Sequence, residues 1–352
     1  MTVESPPQSH TLAPWLARQL AELLARRGHA WLLQGPSGLG QFELGLALAR
    51  SWLCESDAPT PHGACGVCAS CHAINVHTHA DFAVLMPESH LLARGWPLDE
   101  KALAEIDDKK RKPGKEIRVD AMRAVIEFAQ RTNARGRGKA VLIYPAERMN
   151  AITANALLKT LEEPPGDVRF VLASDAAHAL LPTIRSRCQT HTMIWPDASK
   201  ALAWLAGQGV PADAAPALLT AAGGRPEAAL ALARSVSGAS GAQQAAKAWA
   251  ALPRTLARGG AAAVAAVADL PAPELIARLQ KLCHDLMAAQ TGAAPRFFAA
   301  ADLPRLSAHP RQMMRLARWA KQLAQEARVA EHPFNAGLTV EALVSAAQTA
   351  LR

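Results

Sequence analysis

The chain has 352 residues, half of them apolar and 19% charged, so it can bury the cores of two or three domains and is neither fibrous nor disordered. Its net charge is +8 and its pI near 9.4, which suits polyanionic partners but at this length is also common in proteins that never touch nucleic acid. Met1 to Pro7 has no basic segment leading into an apolar one, and the apolar stretch 261–268 is too short to cross a bilayer. A cytoplasmic protein with no membrane partner is expected.

From Trp15 to about Thr192 the pattern alternates helices and strands, which predicts an α/β domain with a parallel sheet covered on both faces. Helical periods run over 15–27, 42–52, 120–131 and 153–162. Apolar runs at 30–33, 82–86, 140–144 and 170–173 read as buried strands. In the third helix Met122, Val125, Ile126 and Ala129 share one stripe, with Asp120 as N-cap or first-turn acid. Glu163-Pro164-Pro165-Gly166 ends the fourth, since proline cannot continue a helix.

Between the first strand and the second helix stands Gly35-Pro36-Ser37-Gly38-Leu39-Gly40-Gln41-Phe42. Gly35 and Gly40 have the spacing of a Walker A phosphate loop, but a working loop continues with Lys and then Ser or Thr. Gln41 lacks the ammonium charge, and the Phe42 ring cannot coordinate Mg²⁺. The acidic half of such a site should follow the third strand, where Tyr144-Pro145-Ala146-Glu147 offers no carboxylate at the strand end. Glu147 reads as a surface residue. Both halves of an ATPase site are damaged, so no ATP is expected to bind.

Cys54, Cys65, Cys68 and Cys71 give C-x10-C-x2-C-x2-C directly after the loop helix. In a cytosolic chain this spacing argues for metal over disulfides. Four thiolates complete a tetrahedral shell, and Gly63 and Gly66 supply tight turns. Structural zinc is the preferred ion, with an iron–sulfur cluster as the chemical rival. His62, His72, His77 and His79 lie nearby and read as surface or supporting groups. Cys188 and Cys283 read as small buried apolar residues.

The charge run 107–115, inside a polar stretch from Glu88 to Glu116, reads as a solvated mobile loop. Beyond it a small helical region, 196–236, is followed by an all-helical one, 237–352, broken at 259–260, 271–273, 292–295, 309–310 and 332–333. With no cluster of catalytic residue types, the last region reads as a packing or assembly domain.

The run Thr153-Ala154-Asn155-Ala156-Leu157-Leu158-Lys159-Thr160-Leu161-Glu162-Glu163-Pro164-Pro165, with 170–174 and Thr183-Ile184-Arg185-Ser186-Arg187-Cys188, resembles the core of bacterial clamp-loader subunits of the AAA+ class. The four-cysteine insertion fits both the tau/gamma and the delta-prime types of that family; the Gln41-Phe42 loop fits only delta-prime. The resemblance is close from Trp15 to Pro196. It implies an AAA+ domain over 1–195 with a zinc knuckle, a helical lid over 196–236 and a helical collar over 237–352.

It further implies a non-hydrolysing member of the polymerase III clamp loader. Its partners would be the tau/gamma ATPase and delta subunits and, through the complex, the sliding clamp and primed DNA. Arg187, in the family's Ser-Arg-Cys motif, would enter the neighbouring subunit's ATP site as an arginine finger. Where the family's ATPases carry a sensor arginine in a G-S-x-R-D-A-L pattern, Gly224-Arg225-Pro226-Glu227 places Glu227, which would repel phosphate.

Two other classes are weaker. An active tau/gamma-like ATPase is opposed by Gln41, Phe42, Tyr144 and Glu227. A free-standing zinc DNA-binding protein is opposed by a knuckle without interleaved aromatics or a flanking basic helix.

Overall fold

A computed structural model describes residues 12–56, 63–238, 240–307, 309–330 and 335–352. The chain forms two compact units, Met1–Trp195 and Pro196–Arg352. Met1 to Pro7, His62 and the break at 332–333 lie outside the described residues.

The first unit opens with α1 (Pro14–Leu24), β1 (Ala30–Gln34), α2 (Gln41–Leu53) and α3 (Ala69–Asn75). It continues with β2 (Phe82–Leu85), α4 (Glu88–Ala93), α5 (Glu100–Asp107) and α6 (Val119–Gln130). Then come β3 (Lys139–Ile143), α7 (Ala151–Glu162), β4 (Val168–Ser174), α8 (Pro182–Arg185) and β5 (Gln189–Thr192). The strands form one parallel sheet in the order β2-β3-β4-β1-β5. Four of the strands and the four helical periods read from the sequence are present within a few residues. β1 lies between β4 and β5, with Leu32 level with Leu172 and Thr190. Its residues 30–33 are all buried, as a strand covered on both faces requires. One core joins β1, β3 and β4 to α6 and α7 through Leu32, Met122, Val141, Leu157 and Phe170. On α2 Leu44, Leu48 and Ala49 are fully buried, so the helix following the phosphate loop is fixed to the sheet.

The polar stretch 88–116 opens with α4 and α5, and the charge run that follows has no regular structure beyond Asp107. The Asp99 side chain caps α5 by accepting from the Lys101 and Ala102 amides. Arg111 donates to both Glu88 oxygens, at 2.5 and 2.9 Å, and to Glu105 at 2.8 Å. The charge run therefore closes an ion-pair network. The edge strand β5 is an addition: only His191 of its residues is buried, so its polar sequence gives no apolar run to read.

The second unit is helical among its described residues: α9 (Ala198–Gly207), α10 (Ala215–Ala221), α11 (Pro226–Arg234), α12 (Gly241–Arg258), α13 (Ala261–Ala265), α14 (Ala272–Gln290), α15 (Pro310–Val329) and α16 (Ala336–Leu351). One apolar cluster joins Leu205, Leu218, Ala229 and Ala246. A larger one joins Trp249, Leu279, Leu316, Trp319 and Leu343.

Candidate functional site: a filled phosphate loop and a thiolate cluster

The phosphate loop keeps its backbone frame. Gly40 sits at φ 94° as the residue before α2, a left-handed conformation that favours glycine. What fills the frame has changed. Gln41 is buried, and its amide Nε2 donates to the Gly35 carbonyl at 2.7 Å and the Pro36 carbonyl at 3.0 Å. A lysine here would point its charge at phosphate; the glutamine instead ties the loop to itself.

Phe42 is buried against the Tyr144 ring, with centroids 5.5 Å apart, and meets the edge of Trp96 at 6.3 Å. The Arg94 guanidinium lies 4.2 Å from the Phe42 centroid and donates to Glu43 at 2.7 Å. Burial works against the Arg94 charge, but Glu43 more than offsets it and keeps its pKa above the usual arginine value. Aromatic rings and one ion pair thus pack where a hydroxyl would hold Mg²⁺.

The strand ends complete the arrangement. β3 stops at Ile143, and Tyr144 donates its hydroxyl to Asp175 Oδ2 at 3.2 Å. Burial, then the nearby Glu147 charge, raises the Asp175 pKa to about 6, while Ser37 and Tyr144 hydrogen bonds oppose the rise. Glu147 corrects the surface reading. The turn at 146–148 brings it back so that Ser174 Oγ donates to it at 2.7 Å and the Asp175 amide at 3.2 Å. It holds the end of β3 to the end of β4. Asp175 escaped the sequence reading, although a carboxylate one residue past an apolar strand was the available signal.

The four cysteines converge: their sulfurs all lie within 4.8 Å of one another. Cys54 Sγ is 3.9 Å from Cys68 Sγ, and Cys65 Sγ is 4.0 Å from Cys71 Sγ. A tetrahedral zinc site with Zn–S bonds of about 2.3 Å separates its sulfurs by about 3.8 Å. The amides of Cys65, Cys68 and Cys71 donate to sulfurs at 3.3–3.4 Å, the pattern that stabilises thiolates. Gly63 at φ 92° makes the turn, and a Cβ there would meet Ser51 Oγ at 2.3 Å.

Amide donors from Val67 and Cys68 lower the Cys65 thiol to about 6, while burial pushes Cys71 up to about 12. The donor set fits a thiolate-binding metal. The nearby histidines do other work. His72 is exposed, and His77 stacks on Trp96 with centroids 3.8 Å apart. His79 is buried between Ser70 Oγ and the Asp81 amide. Cys283 is buried and Cys188 half-buried, and burial raises both thiols.

Arg187 follows α8 and stands with its side chain 29% exposed. Its Nε donates to Glu162 Oε1 at 2.7 Å, its terminal Nη2 reaches the same oxygen, and Nη1 donates to the Thr183 carbonyl at 2.9 Å. Glu162 comes from the end of α7, so the two motifs read in the sequence meet through one ion pair. Arg185, two residues earlier, is exposed. Glu227 stands in the first turn of α11, in the other unit.

Residues 13–194, just over half of the chain, match the protein family described as DNA polymerase III, delta subunit. The chain belongs to this family. Relatives of this chain include DNA polymerase III subunit delta' of Pseudomonas aeruginosa, 39% identical over 60% of this chain and 58% of that one, and of Escherichia coli, 35% identical over 62% and 60%. The chain thus spans under two thirds of the length of these relatives. The Salmonella typhimurium DNA polymerase III subunit tau is 35% identical over 51% of this chain and 23% of its own. A DNA polymerase III gamma subunit-related protein of Thermotoga maritima has the same fold, with a TM-score of 0.51, 17% identity and coverage of 96% and 100%. Among the described residues no helix of this polymerase III family member is long and apolar enough to cross a membrane.

Proposed function

We propose that the chain is a delta'-type clamp-loader subunit that takes part in loading the sliding clamp onto primed DNA while neither binding nor hydrolysing ATP itself. The observation that carries the non-hydrolysing part is the filled loop, with Gln41 bonded to Gly35 and Phe42 packed on Tyr144. The names of the relatives support the assembly. In this reading the chain is cytoplasmic, sits beside a tau/gamma ATPase and a delta subunit, and is catalytic only through its neighbour.

Arg187 is the group assigned to that neighbour. A guanidinium partly exposed and held by a flexible carboxylate can exchange Glu162 for a γ-phosphate oxygen, to which it offers two parallel donors. It would stabilise charge that develops during phosphoryl transfer. The cysteine cluster is assigned to structural zinc held by Cys54, Cys65, Cys68 and Cys71, which supplies a folded knuckle and no open coordination position. Residues 196–236 are assigned to a lid and 237–352 to a collar, a division supported by the two apolar clusters of the second unit.

The test is reconstitution. The chain, mixed with purified tau/gamma and delta subunits of its own source, should enter a complex that loads clamp on primed DNA with ATP. Failure to enter that complex, or equal loading without the chain, overturns the proposal.

A further inference from the structure

Between α6 and β3 the chain runs Arg131-Thr132-Asn133-Ala134-Arg135-Gly136-Arg137-Gly138, a loop with no regular structure. Residues 131–137 are all exposed and none has a large apolar side chain to bury, so polar bonds must hold the loop. Two acidic residues supply them. Asp81, 1% exposed, accepts from the Ala134 amide at 2.7 Å and from the Arg135 amide at 2.8 Å. The Glu55 carboxylate accepts from Arg135 Nη1 at 2.7 Å, and its main-chain carbonyl accepts from Arg137 Nη2 at 3.2 Å.

Both acidic residues are tied to the cysteine cluster. Glu55 directly follows Cys54; its amide donates to the Cys68 sulfur, and its carboxylate accepts from the Ser70 amide. A second route starts beside Cys71. Ser70 and His79 are buried, with Ser70 Oγ 2.5 Å from His79 Nε2. The Asp81 amide donates to His79 Nδ1 at 3.0 Å, so Nε2 carries the ring proton and donates to Ser70. Asp81 is also anchored by β2, which begins at Phe82, whereas Glu55 lies past the end of α2 and depends on the cluster.

We propose that metal bound by the four cysteines holds the 131–138 loop in place, chiefly through Glu55, so that metal occupancy sets whether Arg135 and Arg137 are docked or released. A thiolate site that loses its ion loses the cross-links that fix its backbone. Glu55 and Ser70, each next to a ligand, then move with it. The Arg135–Glu55 pair is about one third exposed on both sides, and such a pair is weak unless one partner is already held in position. The proposal rests on the zinc assignment above and adds to it a positioning role for Glu55, Ser70, His79 and Asp81.

The test compares the full chain loaded with zinc, the same chain stripped of metal, and zinc-loaded Glu55→Ala. Trypsin cleaves after arginine, so the bonds following Arg135 and Arg137 report on the loop directly. Stripping should speed cleavage at both about fivefold or more and amide exchange over 132–138 about tenfold or more, with exchange over 168–174 in β4 unchanged. Glu55→Ala should keep its zinc and still be cleaved about threefold faster or more at the same bonds. Zinc content, measured on every sample, separates the two ideas. A chain that binds zinc yet shows equal loop exchange when loaded and stripped overturns this inference and leaves the metal assignment standing. A chain that takes up no zinc overturns both. Equal loosening of β4 on stripping, or unchanged cleavage of Glu55→Ala, also overturns the inference, since the metal would then act on the whole domain or reach the loop without Glu55.

Discussion

The Arg94 guanidinium lies 4.2 Å from the centre of the Phe42 ring, although 51 residues separate it from its ion-pair partner Glu43 on the loop helix. Arg94, directly after α4, thus covers a phosphate site that the Phe42 ring already fills. Phe42 is now a core residue. Phe42→Thr should cost about 3 kcal/mol, the size of other large-to-small changes at buried aromatics. Urea unfolding of the variant measures it, and a loss below about 1 kcal/mol would mean that the ring is not structural.

The thiolate cluster makes a compositional prediction. Protein purified without chelators should carry one zinc per chain and no visible charge-transfer colour. Cys65→Ser should abolish zinc binding while the sheet stays folded, because the cysteines lie outside its main core. Zinc added to stripped protein at pH 7.5 should release at least one proton, since burial keeps Cys71 protonated there. Elemental analysis and pH-stat titration read both. Iron in place of zinc, or no proton release, contradicts the assignment.

Asp175 sets a pH dependence whose sign is fixed by burial. Its carboxyl titrates at about 6 in the fold against an ordinary 3.8, so between these values the folded state holds the extra proton. Stability from this group is therefore present below that window and falls as pH rises through it, by up to about 3 kcal/mol. Asp175→Asn should lose the effect. The stability difference between variant and unmodified chain should shift in the variant's favour from pH 4 to pH 8 in urea titrations. A difference independent of pH would contradict the burial argument.

Arg187 and Arg185 form a matched pair for the trans-acting role. Arg187→Ala removes a half-exposed ion pair with Glu162 and should cost under about 1 kcal/mol of stability. In a reconstituted loader the ATP site beside this subunit should slow by up to about 10³–10⁵, the worth of an arginine finger, so total ATPase falls in part and clamp loading falls further. Arg187→Lys should rescue poorly because an ammonium lacks the planar fork. Arg185→Ala should stay near wild type. Unchanged loading with Arg187→Ala sinks the assignment.

Much of the fold was legible because burial on both sheet faces writes itself as apolar runs: 30–33 and 140–144 could hardly be anything else. β5 was not, since an edge strand with one buried residue needs no such run. Glu147 was misread, and the contacts of the charge run were not foreseen, for a common reason. Their roles come from partners far along the chain, Ser174 for the one and the Arg111 contacts with Glu88 and Glu105 for the other. The loss of phosphate chemistry at Gln41 and Phe42 was legible residue by residue. What occupies the space was not, because Arg94 and Trp96 reach it only after α4 folds back.

The central claim is that an ATPase fold has been kept with its nucleotide site filled. Calorimetric titration of the isolated chain with ATP and Mg²⁺ tests it most directly. No saturable heat should appear up to about 1 mM ATP, an affinity weaker than roughly −4 kcal/mol. Saturation with a micromolar Kd would contradict it.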